Sequence, residues 1–378
     1  MRRLRRIGKI FMITTSSLLV LFGIVTFAFM QHPKFGKAPS GERLVRMEQS
    51  PNFKKGKFQN LSPTPTFAEG YTFWGEIYKL MFRKANPRRY PKDQLPTMKE
   101  DLLHLPADTN VLVWFGHSSY FMQVNGRTFL MDPVFSGNAS PIPNSVKAFE
   151  GTDVYTVADL PPVDYLMISH DHYDHLDYET VIQLREKVRY VVCGLGVGAH
   201  FEHWGYPKEK IIEKDWHEQV DLGNGSIIYT QPARHKSGRG FSQNNTLWMS
   251  YVLQSPDFTI YMGGDSGYDK HFAAIGQQFG RIDLAILENG QYDPAWHYVH
   301  TLPEEVLMAA HDLQAKRLLP VHSSKFVLAK HSWDEPLSKL TALNKAGDPL
   351  SLVTPVIGQI VYLQDTTQVF EPWWEGLQ

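Results

Sequence analysis

The stretch Ser169-His170-Asp171-His172-Tyr173-Asp174-His175-Leu176-Asp177 follows an apolar run, Val163 to Ile168, and sets three imidazoles and three carboxylates within nine residues. Imidazole nitrogen and carboxylate oxygen are donors that zinc accepts at neutral pH, and a catalytic zinc takes about three protein ligands, leaving a position for water. If the apolar run is a buried strand, the loop at its end directs His170 and His172 to one metal and Asp174 and His175 to a second. The plain alternative is a polar turn before a helix, but structural turns favour Asp, Asn, Ser and Gly and have no use for three histidines.

One loop cannot complete two coordination shells, and the chain offers further donors beyond other β-like runs. His235 follows Ile227 to Thr230, Asp265 follows Phe258 to Met262, and His322 follows the apolar Leu319-Pro320-Val321. The carboxyl ends of strands are where open α/β sheets place their sites. Taken singly, each of these residues is equally consistent with an ordinary surface or core position; together with the loop they form a pattern.

That pattern, His-x-His-x-Asp-His followed in order by His235, Asp265 and His322, resembles the metallo-β-lactamase superfamily. Trp114-Phe115-Gly116-His117-Ser118, Asp132-Pro133-Val134-Phe135-Ser136, Leu247-Trp248 and His300 before Pro303-Glu304-Glu305 are similar to one branch, the N-acylphosphatidylethanolamine-hydrolysing phospholipase D family. The resemblance runs from about Phe58 to beyond Pro336. It implies an αββα sandwich, of the α/β (α+β) class, and two Zn²⁺ ions: His170, His172 and His235 on one, Asp174, His175 and His322 on the other, with Asp265 bridging. It implies cleavage of a phospholipid on the headgroup side of phosphorus, giving phosphatidic acid and an N-acylethanolamine. Asp132 is expected to fix the tautomer of a liganding imidazole, His117 to do similar work at the rim, and His300 to assist the leaving oxygen or bind the headgroup, although a surface role for His300 fits the sequence as well. The chain departs from the animal enzymes in reading His235-Lys236 and His322-Ser323 where they carry His-Trp pairs, which alters the pocket wall. A lactonase or other small-molecule hydrolase of the same superfamily is the alternative. A β-lactamase is disfavoured because Asp265 stands where the common zinc-dependent group has Cys, and a scaffold without activity is disfavoured by the intact donor set.

With 378 residues, 43% of them hydrophobic, the chain can bury a large core, and a net charge of −1 without a long basic run in its body argues against nucleic-acid partners. The single cysteine, Cys193, rules out internal disulfides and falls in a β-like run where a buried thiol is expected. Residues 1–30 differ from the rest. Arg2, Arg3, Arg5, Arg6 and Lys9 precede an uncharged segment from Ile10 to Met30, which at about 1.5 Å per residue can cross the about 30 Å hydrocarbon core. Phe27-Ala28-Phe29-Met30-Gln31 lacks the small residues of a cleavage site, favouring a retained anchor over a cleaved signal. The basic cluster should keep the N-terminus cytoplasmic and the enzyme outside, in the periplasm of a bacterium. A phospholipid and a membrane are the expected partners, and a homodimer is compatible with the sequence.

Residues 31–105 read as an extension, with 31–60 a linker or loosely ordered arm. Phe73, Trp74, Ile77, Tyr78, Leu80, Met81 and Phe82 recur at helical spacing within Tyr71 to Arg83, followed by the basic cluster Arg83, Lys84, Arg88 and Arg89. Two readings stand: an ordinary helix on the domain, or an interfacial helix presenting Trp74, Ile77 and Met81 to the membrane. From 106 to 378 the catalytic domain opens with three strands, Val111–Phe115, Tyr120–Val124 and Thr128–Met131, the last two joined by a type I′ turn at Asn125-Gly126. Helices are expected over Tyr178–Lys187 and Pro303–Lys316, the latter with Thr301 and Glu304 as a capping box.

Overall fold

The computed structural model describes residues 2–378; Met1 and the side chains of Arg2, Leu4 and Leu80 lie outside that description. Two seven-stranded sheets form the centre. The first runs, edge to edge, Ile360–Tyr362, Val111–Trp114, Tyr120–Val124, Arg127–Met131, Val163–Ile168, Val188–Gly194, Ile211–Lys214. The second runs Ser351–Leu352, Arg317–Val321, Leu284–Glu288, Thr259–Met262, Ser250–Gln254, Ser226–Gln231, Gln219–Gly223.

Successive residues of a strand face opposite sides of a sheet, and here both sides are buried. Leu112, Trp114, Tyr120, Met122, Tyr165 and Met167 meet Trp248, Tyr251, Ile260, Met262, Leu284 and Ile286 between the sheets. The alternate residues Val113, Phe121, Leu166 and Ile168 cover themselves with helices Tyr178–Leu184 and Gly198–His203. Tyr261, Ala285 and Leu287 do the same on the far side with helices His271–Phe279, Pro303–Asp312 and Glu335–Ala346. This double burial explains why Val163 to Ile168 and Leu284 to Leu287 are almost continuously apolar, and it makes the layers α/β/β/α.

Asn125 and Gly126 take φ of 50° and 72°, as a type I′ turn requires, and Val124 pairs with Arg127 across it. Cys193 is buried in its strand. Two helix readings need correction. Both helices are shorter than their apolar spacing suggested, and the second is capped one residue later: Glu305 accepts from the Leu302 N–H at 2.9 Å, while the Thr301 N–H and hydroxyl both turn to Glu288.

The arm over 31–60 is not loose. Met47 and Phe58 are buried in the intersheet core, Arg43 pairs with Glu213 at 2.6 Å, and the Trp204 indole donates to the Pro33 carbonyl. Its Lys, Pro, Gly and Ser composition hid this because most of its attachments are backbone groups and isolated side chains. Leu95 and Leu102 are buried as well, so 31–105 is continuous with the catalytic body. Before it, a helix runs from Arg2 to Met30, and its Arg5–Met30 part, wholly unburied, is long and apolar enough to span a membrane. Phe73–Phe82 is a helix capped by Thr72; Trp74 keeps 76% and Met81 68% of their surface exposed, whereas Ile77 is half-buried and is not part of the outward face.

Candidate metal centre

Strand ends build the site. His170 follows Val163–Ile168, His235 lies four residues beyond Ser226–Gln231, Asp265 three beyond Thr259–Met262, and His322 directly follows Arg317–Val321. The two halves are tied where the His117 N–H donates to the Ser323 carbonyl and the His322 N–H to the His117 carbonyl, both at 2.9 Å. His117, Asp132 and His322 all adopt left-handed backbone, with φ of 53°, 41° and 66°. Such conformations persist in non-glycine residues only where surrounding contacts enforce them, and they gather at functional sites.

Two donor clusters result. In one, His172 Nδ1 lies 2.8 Å from His170 Nε2 and 3.2 Å from His235 Nε2. In the other, Asp174 Oδ2 lies 2.9 Å from His117 Nε2, 3.5 Å from His175 Nε2 and 3.4 Å from His322 Nε2. Asp265 stands between them: Oδ2 is 3.9 and 3.7 Å from the His170 and His235 nitrogens and 3.2 Å from His322, and Oδ1 is 3.2 Å from His175. Metal–nitrogen bonds of about 2.0–2.1 Å in tetrahedral array separate donor atoms by about 3.3 Å, within the span of these distances. His175 Nε2 and Asp265 Oδ1 are buried without a hydrogen bond among the described residues. A cation between them would satisfy both, so the donor set fits a metal.

The electrostatics differ between the two clusters: burial would lower His175 and His322, but the carboxylates of Asp265 and Asp174 raise both, His322 to about 10, so a cation bound there displaces their protons. Burial alone would raise the Asp265 carboxyl, but the imidazoles of His175 and His322 hold it well below the usual range, and His175 and His117 do the same for Asp174. Burial, reinforced by neighbouring imidazoles, pushes His170 and His235 well down, and burial brings His172 to about 4, leaving that trio neutral with lone pairs to offer.

Surrounding groups fix these rings. Asp132 accepts from the Ser169 N–H and hydroxyl at 2.8 and 2.6 Å and from His175 Nδ1 at 2.8 Å. The Val299 carbonyl accepts from His235 Nδ1 at 2.9 Å. His117 is fully buried against Asp174 and does not sit at the rim. His300 Nδ1 donates to Glu288 Oε2 at 2.7 Å, and its ring lines the cavity over the donors. That cavity, about 220 Å³, is also walled by Lys236, Gln291, Trp296, Val299 and Leu328.

A model of the β-lactamase superfamily domain matches residues 127–323, more than half of the chain and all but one of the clustered donors. The chain belongs to the metallo-β-lactamase superfamily. Among its relatives in the superfamily, an uncharacterised protein of Mycobacterium tuberculosis is 36% identical over 335 residues, 86% of this chain and 88% of that one. N-acyl-phosphatidylethanolamine-hydrolyzing phospholipase D 1 of Caenorhabditis elegans is 28% identical over 327 residues, covering 77% and 90%. The solved structure of Igni18, a metallo hydrolase from Ignicoccus hospitalis, shares the fold with a TM-score of 0.52 at 20% identity, covering 67% of this chain and 97% of that one.

Sequence reading passed over three contributors. Glu288 ends a buried strand and accepts from His300, Ser266 and Thr301; a lone carboxylate closing Leu284-Ala285-Ile286-Leu287 was its signal. Asn60 brackets His235, accepting from its N–H and donating to its carbonyl. Arg239, inside a Gly- and Ser-rich loop, is buried and donates to the carbonyls of Asp171 and Leu176.

Proposed function

We propose that the protein is a membrane-attached, two-zinc phosphodiesterase that cleaves N-acylphosphatidylethanolamine-like phospholipids on the headgroup side of phosphorus. The observation that carries this reading is the cavity wall: Lys236 puts a cation on the wall of the cavity that Asp174, Asp265 and His322 also line, while Trp296, Val299 and Leu328 supply an apolar side. That combination suits a phosphodiester joined to an acyl chain. The apolar N-terminal helix ends with Met30 against Gly240, four residues beyond Lys236. The worm relative carries this activity in its name.

His170, His172 and His235 would hold one ion, Asp174, His175 and His322 the other, with Asp265 between. Bound there, the pair supplies Lewis acidity toward a phosphoryl oxygen and activates water at neutral pH. The chain's own groups do the rest. Lys236 attracts the phosphate, Asp132 and the Val299 carbonyl keep two imidazoles in their donor tautomers, and His300, oriented by Glu288, is placed to give a proton to the leaving oxygen.

A volume of about 220 Å³ admits a headgroup and leaves no room for two long acyl chains. The tails must therefore stay outside, in the lipid, and the same small volume favours a second reading, a lactonase or other hydrolase of small esters. Mass spectrometry of the products of N-acylphosphatidylethanolamine decides between them. Phosphatidic acid with N-acylethanolamine is expected; no turnover alongside rapid lactone opening would replace the phospholipase reading with the second.

A further inference from the structure

Beside the metal cavity lies a separate hollow of about 360 Å³ between the Phe73–Phe82 helix and the short Pro294–Trp296 turn. Five cations line it: Lys79, Arg83, Lys84, Arg89 and Lys330. Lys79 and Lys330 share one carboxylate, Glu76, at 2.5 and 2.7 Å, and Lys330 also meets Asp293 at 3.3 Å. Arg83, Lys84 and Arg89 form no ion pair among the described residues, so the hollow keeps an excess of positive charge. Exposed basic residues are ordinarily content in water. Arg89 differs, because its Nε is buried and has no hydrogen-bond partner among the described residues, and an unpaired buried donor is costly to leave unmade.

The outer surface of the same helix is apolar. Phe73, Trp74, Tyr78, Met81 and Phe82 are all exposed, with Phe73 against Trp74 and Tyr78 against Phe82, and apolar side chains gathered on a surface in this way mark interaction sites. A cationic hollow rimmed by exposed aromatics matches a ligand with an anionic head and hydrocarbon tails, and it does not match a free inorganic ion, which has no use for the patch.

We infer that this hollow binds the phosphate headgroup of an anionic phospholipid, with the acyl chains lying along the exposed face of the Phe73–Phe82 helix. Lys330 stacks over Trp296 at 5.2 Å, and Trp296 also walls the metal cavity, so a lipid held here would sit next to the site mouth without entering it. The inference extends the membrane-attached part of the proposed function and is independent of which bond the metal cavity cleaves.

The test uses the full chain in neutral detergent, carrying His170→Ala, His322→Ala and Lys236→Gln so that each ion loses a ligand and the cavity wall its cation, titrated with short-chain phosphatidylglycerol, short-chain phosphatidylcholine and inorganic phosphate by calorimetry. Phosphatidylglycerol should bind at least about tenfold more tightly than either of the others, and the double change Arg83→Gln, Lys84→Gln, at two exposed positions, should weaken it by about tenfold or more. Equal affinity for phosphatidylcholine would show that charge has no part in it. Inorganic phosphate binding as tightly as the lipid would overturn the lipid assignment, and affinity unchanged in the double variant would remove the hollow from consideration. Because the phospholipase assay reads bond cleavage and this titration reads binding in a disabled variant, either can fail alone.

Discussion

Arg239 donates two hydrogen bonds, of 2.9 and 2.7 Å, to the carbonyl of Lys34, four residues beyond the end of the apolar N-terminal helix. Its remaining terminal nitrogen holds the carbonyls of Asp171, within the metal loop, and Leu176, directly after it, and its guanidinium lies 4.2 Å from the centre of the Tyr173 ring. The segment leaving the apolar N-terminal helix is thus bonded to the loop that presents His170, His172, Asp174 and His175. Trimming the chain after residue 30 keeps Lys34, whereas trimming after residue 37 leaves a buried guanidinium short of an acceptor. Leaving a buried donor without its acceptor costs about 1–3 kcal/mol, toward the upper end for a charged group. The longer deletion and Arg239→Ala should both lower the denaturation midpoint and the metal content, and the shorter deletion should do neither. Identical midpoints for the two deletions, by circular dichroism in detergent, would disprove the coupling.

Acid should destabilise the fold through His271. Burial at the start of the His271–Phe279 helix pushes this imidazole down to about 4, against a smaller upward pull from Asp269. In the unfolded chain it titrates near 6.5. Between those values the unfolded state binds the extra proton, so stability is whole above about pH 6.5 and falls as pH drops toward about 4, by up to about 3 kcal/mol. Urea unfolding of the full chain in detergent at about pH 7 and about pH 5 should show the difference, and His271→Gln should shrink it. A slope unchanged by the substitution would assign the acid sensitivity to other groups.

Lys236 gives a kinetic prediction. It stands on the cavity wall, and burial lowers its pKa, so Lys236→Gln removes a charge-assisted contact with little change in shape. For a phosphodiester substrate KM should rise about tenfold with kcat little altered, the pattern of lost ground-state binding. A neutral ester should be unaffected. An equal loss on both substrates would mean that Lys236 supports the wall and does not read charge.

The layers and the core were legible because each buried strand is an apolar run and each donor sits just after one. Ser169 to Asp177 and the positions of His235, Asp265 and His322 needed no tertiary knowledge to stand out. The attachments around them did. Arg239 reaches backbone carbonyls, which have no sequence signature, and Asn60 meets His235 from 175 positions away. Glu288 is one acid among 39 acidic residues and gains meaning only when His300 folds onto it at 2.7 Å. The arm over 31–60 misled for the same reason: its composition suits a linker, but Met47 and Phe58 each find a place in the core.

The claim on which the rest depends is a two-metal centre with Asp265 at its middle, and metal analysis of the purified full chain tests it most directly. Wild-type protein should carry about two equivalents of zinc or a similar divalent ion, His172→Ala and His322→Ala about one each, and Asp265→Ala less than either, because a carboxylate placed between two ions would serve both. A single equivalent in the wild type, or full metal content in Asp265→Ala, would contradict the centre described above.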